Sequence, residues 1–175
     1  MPSPDLTVRR LATLTPADID ALSAVLIDCV DGGASVGFMQ PFDPARARAF
    51  WRRVADGVAR GERALLVAQD ALGIVGTVQL VLDQPDNQPH RADLCKMLVH
   101  RRSRRQGTGA ALMRAAETLA RENGKTLLVL DTANPDAERL YEREGWQRVG
   151  TVPDYALLPD GGLCATTFFY RQLSG

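Results

Sequence analysis

The chain has 175 residues with 21 Lys+Arg against 21 Asp+Glu, so its formal net charge is zero, which argues against a general binder of nucleic acid or membrane surface. Hydrophobic residues make up 45% and charged residues 24%, the balance of an ordinary globular chain, read as one domain over residues 1–175 with a sizeable core. The start, "MPSPDLTVRR", has no apolar signal core, and no run approaches the roughly 20 residues of a membrane span. Cys29, Cys95 and Cys164 are widely spaced without a CxxC, which predicts reduced thiols in a cytoplasmic protein; with His90 and His100 alone, no metal site is expected.

"LTVRRL" (6–11) reads as a first strand. "TPADIDALSAVLIDCV" (15–30) reads as a helix with Thr15 at its N-cap, Pro16 in its first position and Ile19, Leu22, Val25, Leu26 and Cys29 at helical spacing. The glycine-rich "DGGASVGFMQPF" (31–42) is a loop, and Asp43–Pro44 opens a second helix that stops near Gly61. "RALLVAQD" and "GIVGTVQLVLD", joined by a short turn around Asp70–Gly73, predict an antiparallel hairpin. "DQPDNQPH" (83–90) is a polar loop, and "RADLCKMLV" (91–99) a third strand of that sheet.

A strong helical pattern, "GAALMRAAETLAREN", ends at Gly124, and "TLLVLDT" (126–132) is a short apolar strand, buried on both faces if parallel. "NPDAERLYEREG" (134–145) is a helix capped by Asn134. "WQRVGTV" and "CATTFFYRQL" close the chain as strands, linked by a loop that contains "PDGG" (159–162). The fold class is α/β with a mostly antiparallel front half.

Between the third strand of the hairpin sheet and the next helix lies "SRRQGTGAAL" (103–112), where donors and glycines gather at a helix start. Glycines there can simply make a turn, but amides at a helix start also point outward with the positive end of the macrodipole. Gly107 and Gly109 lack the Cβ that would hold a ligand off the backbone, so amides from Arg105 to Ala110 can close around a pyrophosphate. No GK[ST] follows, so this is not a P-loop; Leu112 stands where a dinucleotide GxGxxG needs its third glycine.

"R-R-Q-G-T-G" (104–109) resembles the [RQ]-x-x-G-x-[GA] signature of the GNAT superfamily of N-acetyltransferases, and "NPDAERLYEREGW" (134–146) resembles that family's N-x-x-A-x-x-L-Y-x-x-x-G-[FW]. The order of elements agrees over nearly the whole chain. "GGASVGFM" (32–39), "RADLCKMLV" and "VPDYALLPDGGL" look, more narrowly, like the tabtoxin-resistance type. The resemblance implies a mixed sheet of about seven strands, splayed at the fourth and fifth, with about four helices. It also implies acetyl-CoA as donor, bound through Arg104, Arg105, Gln106, Gly107, Thr108, Gly109 and Ala110 for pyrophosphate. Met97, Leu98, Val99, Asn134, Ala137 and Tyr141 then border pantetheine and the acetyl group.

Acetyl transfer to an amine needs a held donor, a polarised carbonyl, a base and an acid for the leaving thiolate. The resemblance puts Tyr141 where the family keeps that acid; otherwise Tyr141 is core. Asp93, six residues before Val99 and read as sharing its strand face, stands where members carry a glutamate base. Its bland alternative is an ion pair with Arg91 or Lys96. Asp131, ending a buried strand, is a second base candidate or a partner for loop backbone. Cys95 shares Asp93's face without a histidine and reads as core, in line with direct attack. Arg101, Arg102, Arg104 and Arg105 read as phosphate anchors with the remainder solvated. Ser35 and Phe38 on one loop and Tyr155 on another are placed to meet a small amine acceptor, amino-acid-like or a toxin or antibiotic. A protein α-amine or lysine, or a non-catalytic acyl-CoA-binding module, is the alternative; the assembly is a monomer or homodimer.

Overall fold

Thr15 caps α1 (Pro16–Asp31): its hydroxyl accepts the Asp18 amide at 3.1 Å while the Asp18 carboxylate accepts the Thr15 amide at 2.9 Å, so two donors of the helix start are satisfied reciprocally. Asp43 caps α2 (Pro44–Ala59) by accepting the Arg46 amide at 2.8 Å. The computed structural model describes residues 5–174. Strands β1 (Thr7–Arg10), β2 (Arg63–Asp70), β3 (Gly73–Val81), β4 (Arg91–Val99), β5 (Leu127–Thr132), β6 (Gln147–Leu157) and β7 (Leu163–Gln172) form one seven-stranded sheet in the order β1-β2-β3-β4-β5-β7-β6. The β4–β5 pair is parallel and the others antiparallel. Helices α3 (Thr108–Glu122) and α4 (Pro135–Arg143) complete the set, giving the GNAT fold that the residues led us to expect.

Period-two alternation sorts each central strand between two cores. Leu65 and Val67 of β2 pack with Leu22, Leu26 and Trp51 of α1 and α2, while Ala64, Leu66 and Ala68 pack with Leu112, Met113 and Ala116 of α3. No helix among the described residues is long and apolar enough to cross a membrane.

Two local expectations need correction. β5 buries only Leu128 and Leu130, leaving Asp131 exposed, because α1 and α2 pack on β2–β4 and do not cover its other face. β6 runs on through Pro153 to Leu157, where a loop was expected; as an edge strand it tolerates a residue with no amide, and it bulges between Val152 and Ala156 with Asp154 at φ 52°. A 3₁₀ turn, Arg101–Ser103, occupies part of the donor-rich segment.

Candidate active site

The donor-rich turn is braced from below. Asp28, near the end of α1, accepts the Arg101 amide at 2.9 Å and the Arg101 guanidinium, with His100 Nε2 at 3.7 Å and Arg104 at 3.8 Å. Burial pushes the Asp28 carboxyl up, but the Arg101 amide and side chain outweigh it and hold the group below its ordinary value. Arg102 pairs with Asp70 at the end of β2. Arg101 and Arg102 are therefore struts. Arg104 donates to the Val99 carbonyl at 3.1 Å, and Gln106 to the Arg102 carbonyl at 3.2 Å.

Arg105 (φ 59°) and Gly107 (φ 80°) carry the chain through the left-handed region into α3, which has no side-chain cap. Among the described residues no acceptor takes the amides from Arg105 to Ala110, so the helix start presents a run of outward donors. Thr108 braces this turn with its side chain: the buried hydroxyl bonds the Ser103 carbonyl at 3.2 Å and the Ser103 hydroxyl at 2.7 Å, leaving only its amide for a ligand. Gly109 serves packing as well, since a Cβ there would stand 2.8 Å from Leu140 Cδ2 of α4.

β4 carries the decisive irregularity. Its register against β3 passes from Cys95↔Gln79 to Leu98↔Thr77, three residues against two, and Lys96 absorbs the extra one at φ 51°. Ala92 and Leu94 before the bulge, and Met97 and Val99 after it, all pack on the α3 side, whereas Leu98 joins the α1–α2 core. Asp93 and Val99 thus lie on opposite faces. The expectation that they share one counts an even spacing across an unbroken strand, and the bulge breaks it. Asp93 and Cys95, on one side of the bulge, do share a face.

β4 and β5 pair only at Arg91↔Leu127, Ala92↔Leu128 and Asp93↔Val129, then part. A cavity of about 320 Å³ opens in the gap and reaches both faces of the sheet. Leu94, Met97, Leu130 and Tyr141 line its α3–α4 side; Ser35–Gly37, Cys95, Lys96, Asp131, Tyr155 and Thr166 line the other. Tyr141 is buried on α4 against Phe169 (ring centroids 5.7 Å apart) and Trp146 (6.1 Å), and among the described residues its hydroxyl has no hydrogen-bond partner. Burial, then the Asp131 carboxylate, pushes this phenol far above its ordinary value, so it keeps its proton at neutral pH. Asp131 accepts the Thr166 hydroxyl at 2.7 Å, not loop backbone. Burial pushes the Cys95 thiol up and, with smaller help from Asp93 and Asp131, outweighs the opposing pull of Lys96 and Arg63, so it is a poor nucleophile here.

The cavity therefore gathers Tyr141, Asp131, Met97, Ser35 and Tyr155. It leaves out Asp93, whose carboxylate is held by Arg91 and by Gln84 Nε2 at 3.4 Å, the pairing that was the bland alternative. Phe38 is also outside, stacked on Phe42 at 4.6 Å and Phe50 at 5.2 Å, where it anchors the loop whose Ser35 hydroxyl donates to the Leu157 carbonyl at 3.4 Å. The Leu98 side chain is core, and the Val99 carbonyl is taken by Arg104. Asn134 caps α4 by accepting the Asp136 amide at 2.9 Å, and Ala137 packs on the α3-side core. Lys96 and Thr166 are lining residues the sequence reading did not place there; a lone charge inside "LCKMLV" was the available signal for the first.

The model of the acetyltransferase (GNAT) family matches residues 33–146, spanning the α1–α2 loop, the bulge, the donor-rich turn and Tyr141. The chain belongs to this family. It is 34% identical over 131 residues, 73% of its own length and 75% of the relative's, to the uncharacterized N-acetyltransferase in the hisH–hisA intergenic region of Azospirillum brasilense. Its fold matches the acetyltransferase yncA of Salmonella typhimurium, solved with acetyl-CoA, at TM-score 0.78 and 20% identity over 97% of this chain and 95% of that one. It also matches a ribosomal-protein-alanine N-acetyltransferase of Brucella melitensis at TM-score 0.78 and 22% identity, over 95% and 99%.

Proposed function

We propose that this chain transfers an acetyl group from acetyl-CoA to the amine of a small, amino-acid-like acceptor by direct attack. One observation carries the reading: a cavity that crosses the sheet at the β4–β5 gap, with a protonated phenol on one side and a carboxylate on the other. The residues present fit the donor, because the free amides from Arg105 to Ala110 and the left-handed Gly107 suit a pyrophosphate. The stretch of β4 at Met97–Val99, unpaired on its β5 side, suits the pantetheine arm, and the family motif assigns Asn134 and Ala137 to the same arm.

Bound acetyl-CoA supplies an activated thioester. Asp131 receives the proton of the acceptor amine, whose nitrogen bonds the acetyl carbon as the carbon–sulfur bond breaks. Tyr141 delivers its proton to the departing sulfur. Cys95, held as a thiol, takes no acyl group. Resemblance in the loop around Ser35 and near Tyr155 extends the acceptors to small toxins of the tabtoxin kind. The test is calorimetry with acetyl-CoA followed by thiol release across amino acids, toxins, aminoglycosides and peptides. Donor binding with release driven by small amines is expected; a folded protein that does not bind acetyl-CoA overturns the reading.

A further inference from the structure

Among the side chains that line the cavity, one is a lysine and one an aspartate: Lys96 and Asp131. Lys96 sits at the bulge with φ 51°, a conformation long side chains rarely adopt, and this turns it toward the α1–α2 loop. Its ammonium lies 6.0 Å from the centroid of the Phe50 ring and 3.7 Å from where a Cβ on Gly37 would stand. Asp93, three residues earlier, is engaged by Arg91, and among the described residues no carboxylate pairs with Lys96. On the same side, Asp131 lines the cavity with one carboxylate oxygen held by the Thr166 hydroxyl.

A half-buried ammonium without a counterion is an odd wall for a site that must admit an amine, because amines reach it as cations. A simple monoamine or a lysine side chain meets repulsion there. An acceptor that carries its own carboxylate meets a charge-assisted hydrogen bond instead. The volume of about 320 Å³ is at the small end of the roughly 300–1,000 Å³ usual for small-molecule sites, and it must also hold the donor's acetyl end. We infer that the acceptor is a free, zwitterionic amino acid, with its carboxylate received by Lys96 and its amine directed at Asp131. This rests on the acetyl-transfer reading and narrows it: a peptide α-amine has a neutral amide where the carboxylate should be.

The experiment measures kcat/KM by thiol release for L-leucine, L-methionine, L-phenylalanine and L-glutamate, each beside its α-amide. The wild type should prefer the acids by about 10- to 100-fold, although the amides carry the more easily deprotonated amine. Lys96→Met should erase that preference by raising KM for the acids and not for the amides, and Lys96→Arg should keep it. The acid-to-amide ratio of the wild type decides the matter even if Lys96→Met does not fold. Equal use of acids and amides, or a preference that survives in Lys96→Met, overturns the zwitterion assignment and leaves acetyl transfer standing. Release with the amides alone overturns the zwitterion assignment only, whereas no release with any acid or amide, in protein that binds acetyl-CoA by calorimetry, overturns both.

Discussion

The Tyr141 hydroxyl sits at the end of a ring wedged between Trp146 and Phe169, so its position is fixed by packing and its proton by burial. Tyr141→Phe keeps that packing and removes only the hydroxyl. It should lower kcat by about 10²–10⁴-fold while leaving acetyl-CoA affinity unchanged in calorimetry. With the phenol raised, no alkaline loss of kcat from its ionisation should appear below the ordinary tyrosine range near 10. Tyr141 and Gly107 were legible in the sequence because each stands inside a spaced motif. Asp93 was given the wrong face and Lys96 was not placed in the cavity for one reason: spacing along a strand reports a face only where the pleat is regular, and the lone charge in "RADLCKMLV" hints at an exposed residue without announcing a bulge.

At the scale of elements, α3 joins two functions. Its start presents free amides, and Gly107→Glu should abolish acetyl-CoA binding, since an acidic side chain would enter the turn at a φ of 80° that side chains rarely adopt. Its far half is pinned by Glu117, a buried carboxylate that accepts the Trp146 indole at 3.1 Å and lies 3.6 Å from Arg171 and 3.7 Å from Arg121. Glu117→Ala leaves the buried Trp146 indole without its acceptor and removes the negative charge beside Arg171 and Arg121, and should cost about 1–3 kcal/mol, read as a lower urea midpoint with unchanged slope. Helices were legible almost to the residue because Thr15, Asp43 and Asn134 announce their starts with real caps. The reach of β6 was not, because a proline reads as a stop until one knows the strand lies at the edge of the sheet.

Across the whole molecule, one carboxylate links the α1 end to the donor turn. Asp28 holds Arg101 and Arg104, so the α1–α2 half and the α3 half meet there. Its folded value lies below that of the unfolded chain, so its contribution to stability is complete above the ordinary carboxylate range and is lost as pH falls through the folded value. Asp28→Asn should therefore lower stability at neutral pH by about 1–3 kcal/mol. It should also flatten the acid limb of a stability–pH series below about pH 4 and weaken acetyl-CoA binding. A mutant with the wild-type acid limb would return Asp28 to the solvated surface. The order of elements and the gap between β4 and β5 were legible through family resemblance; this tie was not, because its partners stand 73 residues apart in the chain.

The bulge at Lys96 also bears on how such a protein can change over time. The two halves of β4 keep opposite phases, so substitutions at Cys95 or Lys96 reshape one side of the cavity while Met97 and Val99 hold their places against the α3-side core. A lineage built on this chain can trade acceptors by point substitution without rebuilding its grip on the donor. Gain or loss of a single residue within 94–98 would instead turn half the strand over, exchanging the side chains that face the α3-side core with those that face the α1–α2 side. Substitution is the open evolutionary route at this strand, and insertion or deletion the closed one.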